Sequence, residues 1–351
     1  MIVLGIETSC DETSAGVVED GHKLLSLVTA TSMDLHVAYG GVVPEIAARS
    51  HIESIIPVID EAVSAVGWDK IDAIAVTYGA GLGGCLLVGV TTAKTLALTK
   101  NKPLYAVNHV EGHVYANFIT ETSLPDFALP DKKPEFPILG LIVSGKHTQL
   151  VLFKDHFDYV ILGKTRDDAI GEAFDKVAKL LGLPYPGGPS VARSSLSGDP
   201  KKHKLPKSKL ESPYDFSFSG LKTAVLRLAQ EQIGEDFTFP SFNIAERLSE
   251  PQKADIAASF QRTAVETVVN KTILAFNEFG PKSVIIAGGA SANLELRRQL
   301  SEKLPIAIGY TDVKLCTDNG AMIAVLGYYK AFLGQKPASP YSLDIEPSLS
   351  M

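Results

Sequence analysis

A chain of 351 residues with 45% hydrophobic and 21% charged residues has the composition of a soluble globular protein of about two domains. Its net charge of −7 argues against a free-standing nucleic-acid binder, because phosphate contacts need clustered Lys and Arg; a local basic patch is still compatible. No run of about 18 apolar residues suggests a membrane span, no charged leader precedes the first strand, and the scattered Cys10, Cys85 and Cys316 fit reduced thiols in a cytosolic protein.

Residues 2–9 (IVLGIETS) read as a buried strand and a polar turn. Ser14-Ala15-Gly16-Val17-Val18 is a second strand, Asp20-Gly21 a turn, and residues 24–28 a third strand, which makes a hairpin meander. Residues 43–66 carry apolar residues at helical spacing. Residues 72–77 form another buried strand, which ends in Tyr78-Gly79-Ala80-Gly81-Leu82-Gly83-Gly84 before a helix over 87–98. A glycine-rich turn between strand and helix lets backbone N–H groups approach an anion; the other reading is a tight turn with no ligand. Residues 104–107 are a short strand that leads into Asn108-His109-Val110-Glu111-Gly112-His113.

Two imidazoles four residues apart lie on one face of a helix, one turn apart. His109 and His113 can therefore reach one divalent ion. Zinc proteases place Glu directly after the first His. Here Glu111 comes one position later and turns towards the far side, which weakens the protease reading. The plainer alternative is a pair of helix histidines that satisfy local hydrogen bonds.

The pattern then repeats. Residues 137–162 again give strand, turn, strand, turn, strand; residues 283–287 (SVIIA) are a buried strand that ends in Gly288-Gly289-Ala290-Ser291-Ala292-Asn293 and a helix. A further strand-like piece reaches Cys316-Thr317-Asp318-Asn319-Gly320 and opens a helix over 321–332. Internal duplication of this order predicts two similar α/β lobes around a central cleft. The lobes are expected at 1–135 and 136–320, with an insertion over about 164–260 in the second. The helix over about 321–333 is a candidate to pack back on the first lobe. In this scheme the Asp318 helix corresponds to the histidine helix and faces it across the cleft, so Asp318 is the natural third ligand; Asp before a helix is otherwise an N-cap.

The insertion holds Gly171-Glu172-Ala173-Phe174-Asp175-Lys176 on an amphipathic helix, then Tyr185-Pro186-Gly187-Gly188-Pro189. Lys201, Lys202, Lys204, Lys207 and Lys209 follow as the one basic cluster, suited to nucleic-acid phosphate or to plain solvation. Lys222 is a separate candidate near a Gly turn.

Over nearly the whole chain these residues resemble a known family. GIETSCDET (5–13), YGGVVPE (39–45), HVEGH (109–113), GEAFDK (171–176), YPGGP (185–189), FSFSGLKT (216–223), GGASAN (288–293) and CTDNGAMIA (316–324) resemble the tRNA N6-adenosine threonylcarbamoyltransferase (TsaD) family, formerly called O-sialoglycoprotein endopeptidase, in its bacterial-type branch. The resemblance implies the duplicated actin/hexokinase/Hsp70-like (ASKHA) fold. It implies transfer of threonylcarbamoyl from threonylcarbamoyl-AMP to N6 of adenosine-37 in tRNAs reading codons that begin with A, with release of AMP, in the cytoplasm. It further implies one divalent metal, iron(II) or zinc, held by His109, His113 and Asp318. Ile142, Val143, Ser144, Gly145, Lys146, Asp175, Gly188 and Asn293 would bind substrate, and Asp11 and Glu12 would be the acidic pair near the reacting groups. Partners implied are tRNA, a paralogous TsaB-type subunit and a TsaE-type ATPase.

Two residues depart from the family pattern. Lys146 stands where a glycine is usual, which predicts either a positive φ or a backbone close to phosphate; Ala80 stands where Pro is usual. An ATP-dependent small-molecule kinase or ATPase of the same fold is the competing reading, and the paired histidines discriminate against it.

Overall fold

The structure is a computed structural model and describes every residue except 38 and 40; Gly40 of the YGGVVPE motif thus lies outside the described residues. In chain order the first elements are strands β1 (Ile2–Glu7), β2 (Glu12–Glu19) and β3 (Lys23–Thr31), then helices α1 (Met33–Val37) and α2 (Pro44–Ser64). Next come β4 (Ala73–Gly79), α3 (Gly83–Thr99), β5 (Leu104–Asn108), α4 (His109–Tyr115) and β6 (Glu121–Thr122). A second series begins with β7 (Ile138–Val143), β8 (Thr148–Asp155), β9 (Asp158–Lys164), α5 (Ile170–Leu180), α6 (Gly187–Ser195), α7 (Ser219–Gln232), α8 (Ile244–Arg247) and α9 (Glu250–Phe279). It continues with β10 (Ser283–Ala287), α10 (Leu294–Lys303), β11 (Ile308–Gly309), α11 (Val313–Cys316) and α12 (Gly320–Phe332).

The chain divides into two units, Met1–Pro134 with Gly309–Met351, and Glu135–Ile308. The first is built on a sheet of order β5-β4-β1-β2-β3-β6, the second on one of order β11-β10-β7-β8-β9. Apart from β6 the two orders correspond strand for strand, and the pairing senses match: β1 is antiparallel to β2 and parallel to β4, as β7 is to β8 and β10. The duplicated fold expected from the repeat is the fold found. Residues 309–320, expected in the second lobe, group with the first unit, and residue 135, expected in the first, groups with the second. The strand-like piece before Cys316 shrinks to two residues of β11, followed by the short helix α11.

In the first unit β1 is central and almost wholly buried. A strand buried on both faces reads as a continuous apolar run, which is what IVLGI is. Leu4, Ile6, Ile74 and Val76 pack with Ile55, Val58 and Ile59 of α2 and Val90 and Ala93 of α3. The alternate residues of β1 meet α12. Gly5 and Gly16, paired in register on β1 and β2, leave room for the backbone of Gly320, Ala321 and Ala324. A Cβ on Gly16 would stand 2.7 Å from Ala321 Cα and from Gly320 C. Gly320 N–H also donates to Ser14 Oγ at 3.0 Å. The helix therefore lies flush on the sheet, which fixes the residues just before it.

In the second unit Leu139, Leu141, Val143 and Leu150 of the sheet pack with Phe174 and Val177 of α5, Val225 of α7, and Phe260, Ala264 and Val268 of α9. The expected end of the insertion at about 260 falls inside α9, a single 30-residue helix.

Candidate functional site

Strand β5 delivers the chain to Asn108, whose side-chain oxygen accepts the N–H groups of Val110 and Glu111 at 2.8 and 3.2 Å and so starts α4. His109 and His113 then occupy one face a turn apart, their ring centroids 4.7 Å apart and nearly perpendicular. The glycine-seated start of α12 brings Asp318 to the same place. Its Oδ1 is 3.4 Å from His109 Nε2 and 3.3 Å from His113 Nε2. One ligand atom from each of the three residues lies within 4.8 Å of the others. All three belong to the first unit, so the expectation that Asp318 faces the histidines from the other lobe is corrected. The N-cap role goes to Asn319, whose side chain accepts from Met322 N–H at 3.0 Å, and the Asp318 carboxylate is not the cap.

A residue that sequence reasoning passed over organises this group. Glu7 ends β1 and is fully buried. Its Oε1 accepts from Ser9 N–H at 2.5 Å, and its Oε2 accepts from Thr77 Oγ1 at 2.6 Å and lies 3.0 Å from His109 Nδ1. Ser9 Oγ is also 3.0 Å from His109 Nδ1. Burial would push the Glu7 carboxyl up, but His109 and Thr77 outweigh it and hold the group below its ordinary range. The signal was a carboxylate at the end of a strand otherwise wholly apolar, since acids are almost never fully buried without a partner.

Asp11 and Glu12 occupy the β1–β2 turn and the start of β2. Ser32 pins the turn by donating its N–H and Oγ to the Asp11 carbonyl, at 3.0 and 2.9 Å. The Glu12 carboxyl is pushed up to about 10, by burial first, then by the charges of Asp318 and Asp11. Glu111 is buried on α4 outside the ligand group. Burial pushes it up to about 7 against the opposing pull of Lys330.

Do these residues suit a divalent ion? Both ring nitrogens of His113 are buried without a hydrogen-bond partner, and an unmade hydrogen bond of this kind costs about 1–3 kcal/mol. A metal bond at Nε2 offsets that cost. His109 has its Nδ1 held by a carboxylate, the usual outer partner of a metal-bound imidazole. Four carboxyls and two imidazoles gathered together form a charge environment that a divalent cation stabilises. The residues fit.

The expected substrate set lies in the second unit. The β7–β8 turn is tight: Ser144 N–H donates to the His147 carbonyl at 2.8 Å, and Ser144 Oγ accepts from the N–H groups of Lys146 and His147 at 3.3 and 3.0 Å. Gly171 of α5 and Gly288, at φ +86°, press on this turn, where any Cβ would strike backbone. One turn along α5, Asp175 accepts the Gly187 N–H at 2.7 Å, and burial pushes its carboxyl up. Gly145 and Gly188 face open space. Asn293 caps α10 through Leu296 N–H at 3.0 Å and donates to Gln261 at 3.0 Å. Ile142 and Val143 are fully buried in β7 and can offer only main chain. Lys146 is exposed and is not among the residues with positive φ. The expectation of a strained backbone there is corrected: the Ser144 side chain closes the turn in an ordinary conformation.

The glycine-rich turn is filled by the chain's own tail rather than left for an anion. Gly81 N–H donates to the Pro347 carbonyl at 3.1 Å, and Leu82 N–H to the Ser9 carbonyl at 2.8 Å. Glu346 N–H reaches the Tyr78 carbonyl at 2.7 Å, and Asn108 Nδ2 holds the Ser350 carbonyl at 3.2 Å. The Gly79–Ala80 peptide in this turn is cis. Lys222 pairs with Asp168 at 3.1 Å, which also holds Lys176 at 2.7 Å. The five lysines of the basic loop are exposed, and Lys207 alone of them pairs, with Glu266 at 2.7 Å, among the ion pairs of the described residues.

Comparison with known proteins agrees with the motifs. Residues 23–325 match the family described as TsaD, tRNA N6-adenosine threonylcarbamoyltransferase. The chain is 49% identical over 362 residues to the tRNA N6-adenosine threonylcarbamoyltransferase of Thermomicrobium roseum, covering 100% of this chain and 97% of that one. It is 50% identical over 333 residues to that of Symbiobacterium thermophilum, covering 93% and 91%. Among solved structures, full-length HypF in its phosphate- and nucleotide-bound form aligns with a TM-score of 0.57 at 15% identity, over 95% of this chain and 56% of that one. That likeness is one of fold, the ASKHA fold. With eight motifs in order and near-complete coverage by relatives at about half identity, the chain belongs to the tRNA N6-adenosine threonylcarbamoyltransferase family of transferases.

Proposed function

We propose that this chain transfers the threonylcarbamoyl group from threonylcarbamoyl-AMP to N6 of adenosine-37 in tRNAs reading codons that begin with A. The adenine amine attacks the carbamoyl carbon, the bond to the phosphate oxygen breaks, and AMP leaves with the electron pair. The observation that carries the reading is the group of buried His109 and His113 with half-buried Asp318, with Asp11 and Glu12 beside it, in a member of this family. Two imidazoles and one carboxylate with open positions are the donor set of non-haem iron(II), which we favour over zinc. When bound, the ion supplies Lewis acidity towards a carbonyl or phosphate oxygen.

The chain's own residues do the rest. Asp11, part-exposed at the turn, accepts the proton lost from N6 or orients the amine; Glu12 hydrogen-bonds to Asp11 and steadies it. In the second unit, the main chain at Ile142, Val143, Ser144 and Gly145, with the side chains of Lys146, Asp175 and Asn293, takes the adenylate. Gly188 leaves space for it. Partners of the TsaB and TsaE type complete the assembly. Ile52 and Ile56, exposed one turn apart on α2, offer an apolar face for the paralogous subunit. Among the described residues no helix is long and apolar enough to cross a membrane, and we assign the reaction to the cytoplasm.

The test is mass spectrometry of nucleosides from tRNA incubated with the protein, its partners and threonylcarbamoyl-adenylate. Threonylcarbamoyl-adenosine at position 37 is expected, and its loss with His113→Ala alongside loss of bound metal. Phosphorylation of a small molecule by metal-free protein, with no modified nucleoside, would overturn the proposal in favour of a kinase.

A further inference from the structure

We propose that Glu7 is a positioning residue that fixes the tautomer of His109 and so makes its Nε2 available as a metal ligand. The inference rests on the metal reading of His109, His113 and Asp318. An imidazole binds a metal only through an unprotonated nitrogen, and the hydrogen bond at the other nitrogen decides which one that is. Glu7 Oε2 lies 3.0 Å from His109 Nδ1, and a carboxylate can only accept there. A proton is therefore held at Nδ1, and Nε2, the atom 3.4 Å from Asp318 Oδ1, is the nitrogen left to give up its proton and take the ion. Ser9 Oγ, also 3.0 Å from Nδ1, does not decide the matter, since a hydroxyl donates or accepts with equal ease.

The surroundings make Glu7 unusually strict. Its Oε1 receives the Ser9 backbone N–H at 2.5 Å, a donor that cannot turn round. In Glu7→Gln the amide oxygen must take that place, because the NH2 end would meet a donor. The NH2 end is then forced towards Thr77 and His109. Thr77 Oγ1 can rotate and accept, whereas His109 Nδ1 must become the acceptor, and its proton moves to Nε2. A change of almost no volume thus blocks the ligand atom while leaving the packing intact.

Three measurements test this. In metal-free wild-type protein with 15N-labelled histidine, NMR is expected to show His109 protonated at Nδ1, and in Glu7→Gln at Nε2. Titration with Co2+, followed by its visible absorption, should give a 10–100-fold weaker Kd for Glu7→Gln, with the metal-free unfolding midpoint little changed. Ser9→Ala should keep the wild-type tautomer. An Nε2–H tautomer in the wild type, or Glu7→Gln that binds Co2+ as the wild type does, would overturn the role of Glu7. Wild-type protein that takes up no Co2+ while its tautomer responds as stated would instead overturn the metal reading and leave the tautomer control standing. Should Glu7→Gln not fold, the wild-type spectrum alone decides the tautomer.

Discussion

The placement of Asp318 depends on the absence of side chains at residues 5, 16 and 320, and Gly16→Ala tests that dependence. A Cβ at position 16 would stand 2.7 Å from Ala321 Cα and from Gly320 C, whereas carbon atoms rest about 3.5–4.0 Å apart. The first turn of α12 must therefore retreat by roughly 0.8 Å, stretching the 3.0 Å bond from Gly320 N–H to Ser14. Overpacking of this kind costs about 1–3 kcal/mol. The effect on metal binding should be larger in proportion, because Asp318 precedes Gly320 by two residues and metal–ligand distances tolerate only about 0.2 Å. Urea denaturation should show the stability loss, and Co2+ titration an affinity reduced more than tenfold. Gly220→Ala is the control: at the start of α7, with nothing within 4 Å of the added atom, it should gain up to about 1 kcal/mol and leave the metal untouched. If Gly16→Ala keeps both stability and affinity, close packing of α12 does not position the ligand and the reasoning fails.

Lys146→Gly should lose about 0.5–1 kcal/mol of stability, because an ordinary turn conformation gains nothing from glycine's freedom; adenylate binding should weaken with it, less so at high salt. A stabilised variant in a thermal melt would restore the strained-backbone reading. Replacing Lys201, Lys202, Lys204 and Lys209 by Gln should flatten the slope of log affinity for tRNA against log salt, by about one unit per lost phosphate contact; an unchanged slope returns the loop to plain solvation. Burial pushes the Asp168 carboxyl up, but its bonds to Lys176 and Lys222 prevail and depress it. Its stabilising contribution is therefore present above the unfolded value of about 4 and lost as pH falls through the depressed one. Asp168→Asn should flatten the acid limb of the stability curve below pH of about 4, as read by urea midpoints across pH; an unaltered limb would show that the pairs contribute nothing.

The strands were legible because they are short apolar runs bounded by glycine and polar turns, and the duplication because those runs recur in the same order. His109 and His113 were legible from spacing alone, since a helix face is a local property. The position of Asp318 relative to them was not. Its neighbour in space is decided by glycines at 5, 16 and 320, and nothing local to α12 says which sheet it will cross. Glu7 was hidden for a related reason: its three partners come from residues 9, 77 and 109, and only the oddity of an acid in an apolar strand hinted at it. The glycine turn at 78–84 stayed open between an anion and a plain tight turn because its form suits both, and the group it meets, the Pro347 carbonyl, lies far along the chain. Lys146 misled because the Ser144 hydroxyl, two residues away, can close the turn as well as a left-handed glycine would.

The first unit is discontinuous, and this sets an order on events in the cell. When residues 1–134 leave the ribosome, the sheet face around Gly5 and Gly16 has no helix to cover it, and His109 and His113 stand without Asp318. The missing helix follows only after all of residues 135–308 have been made. At roughly 5–20 residues per second that interval lasts on the order of 10–35 s. Through it the nascent chain presents an apolar groove shaped for a small-residue helix, which is the kind of surface a holdase recognises. Metal uptake at His109, His113 and Asp318, as proposed above, would thereby be a late event, since a ribosome stalled before codon 318 holds a chain that lacks one of the three residues.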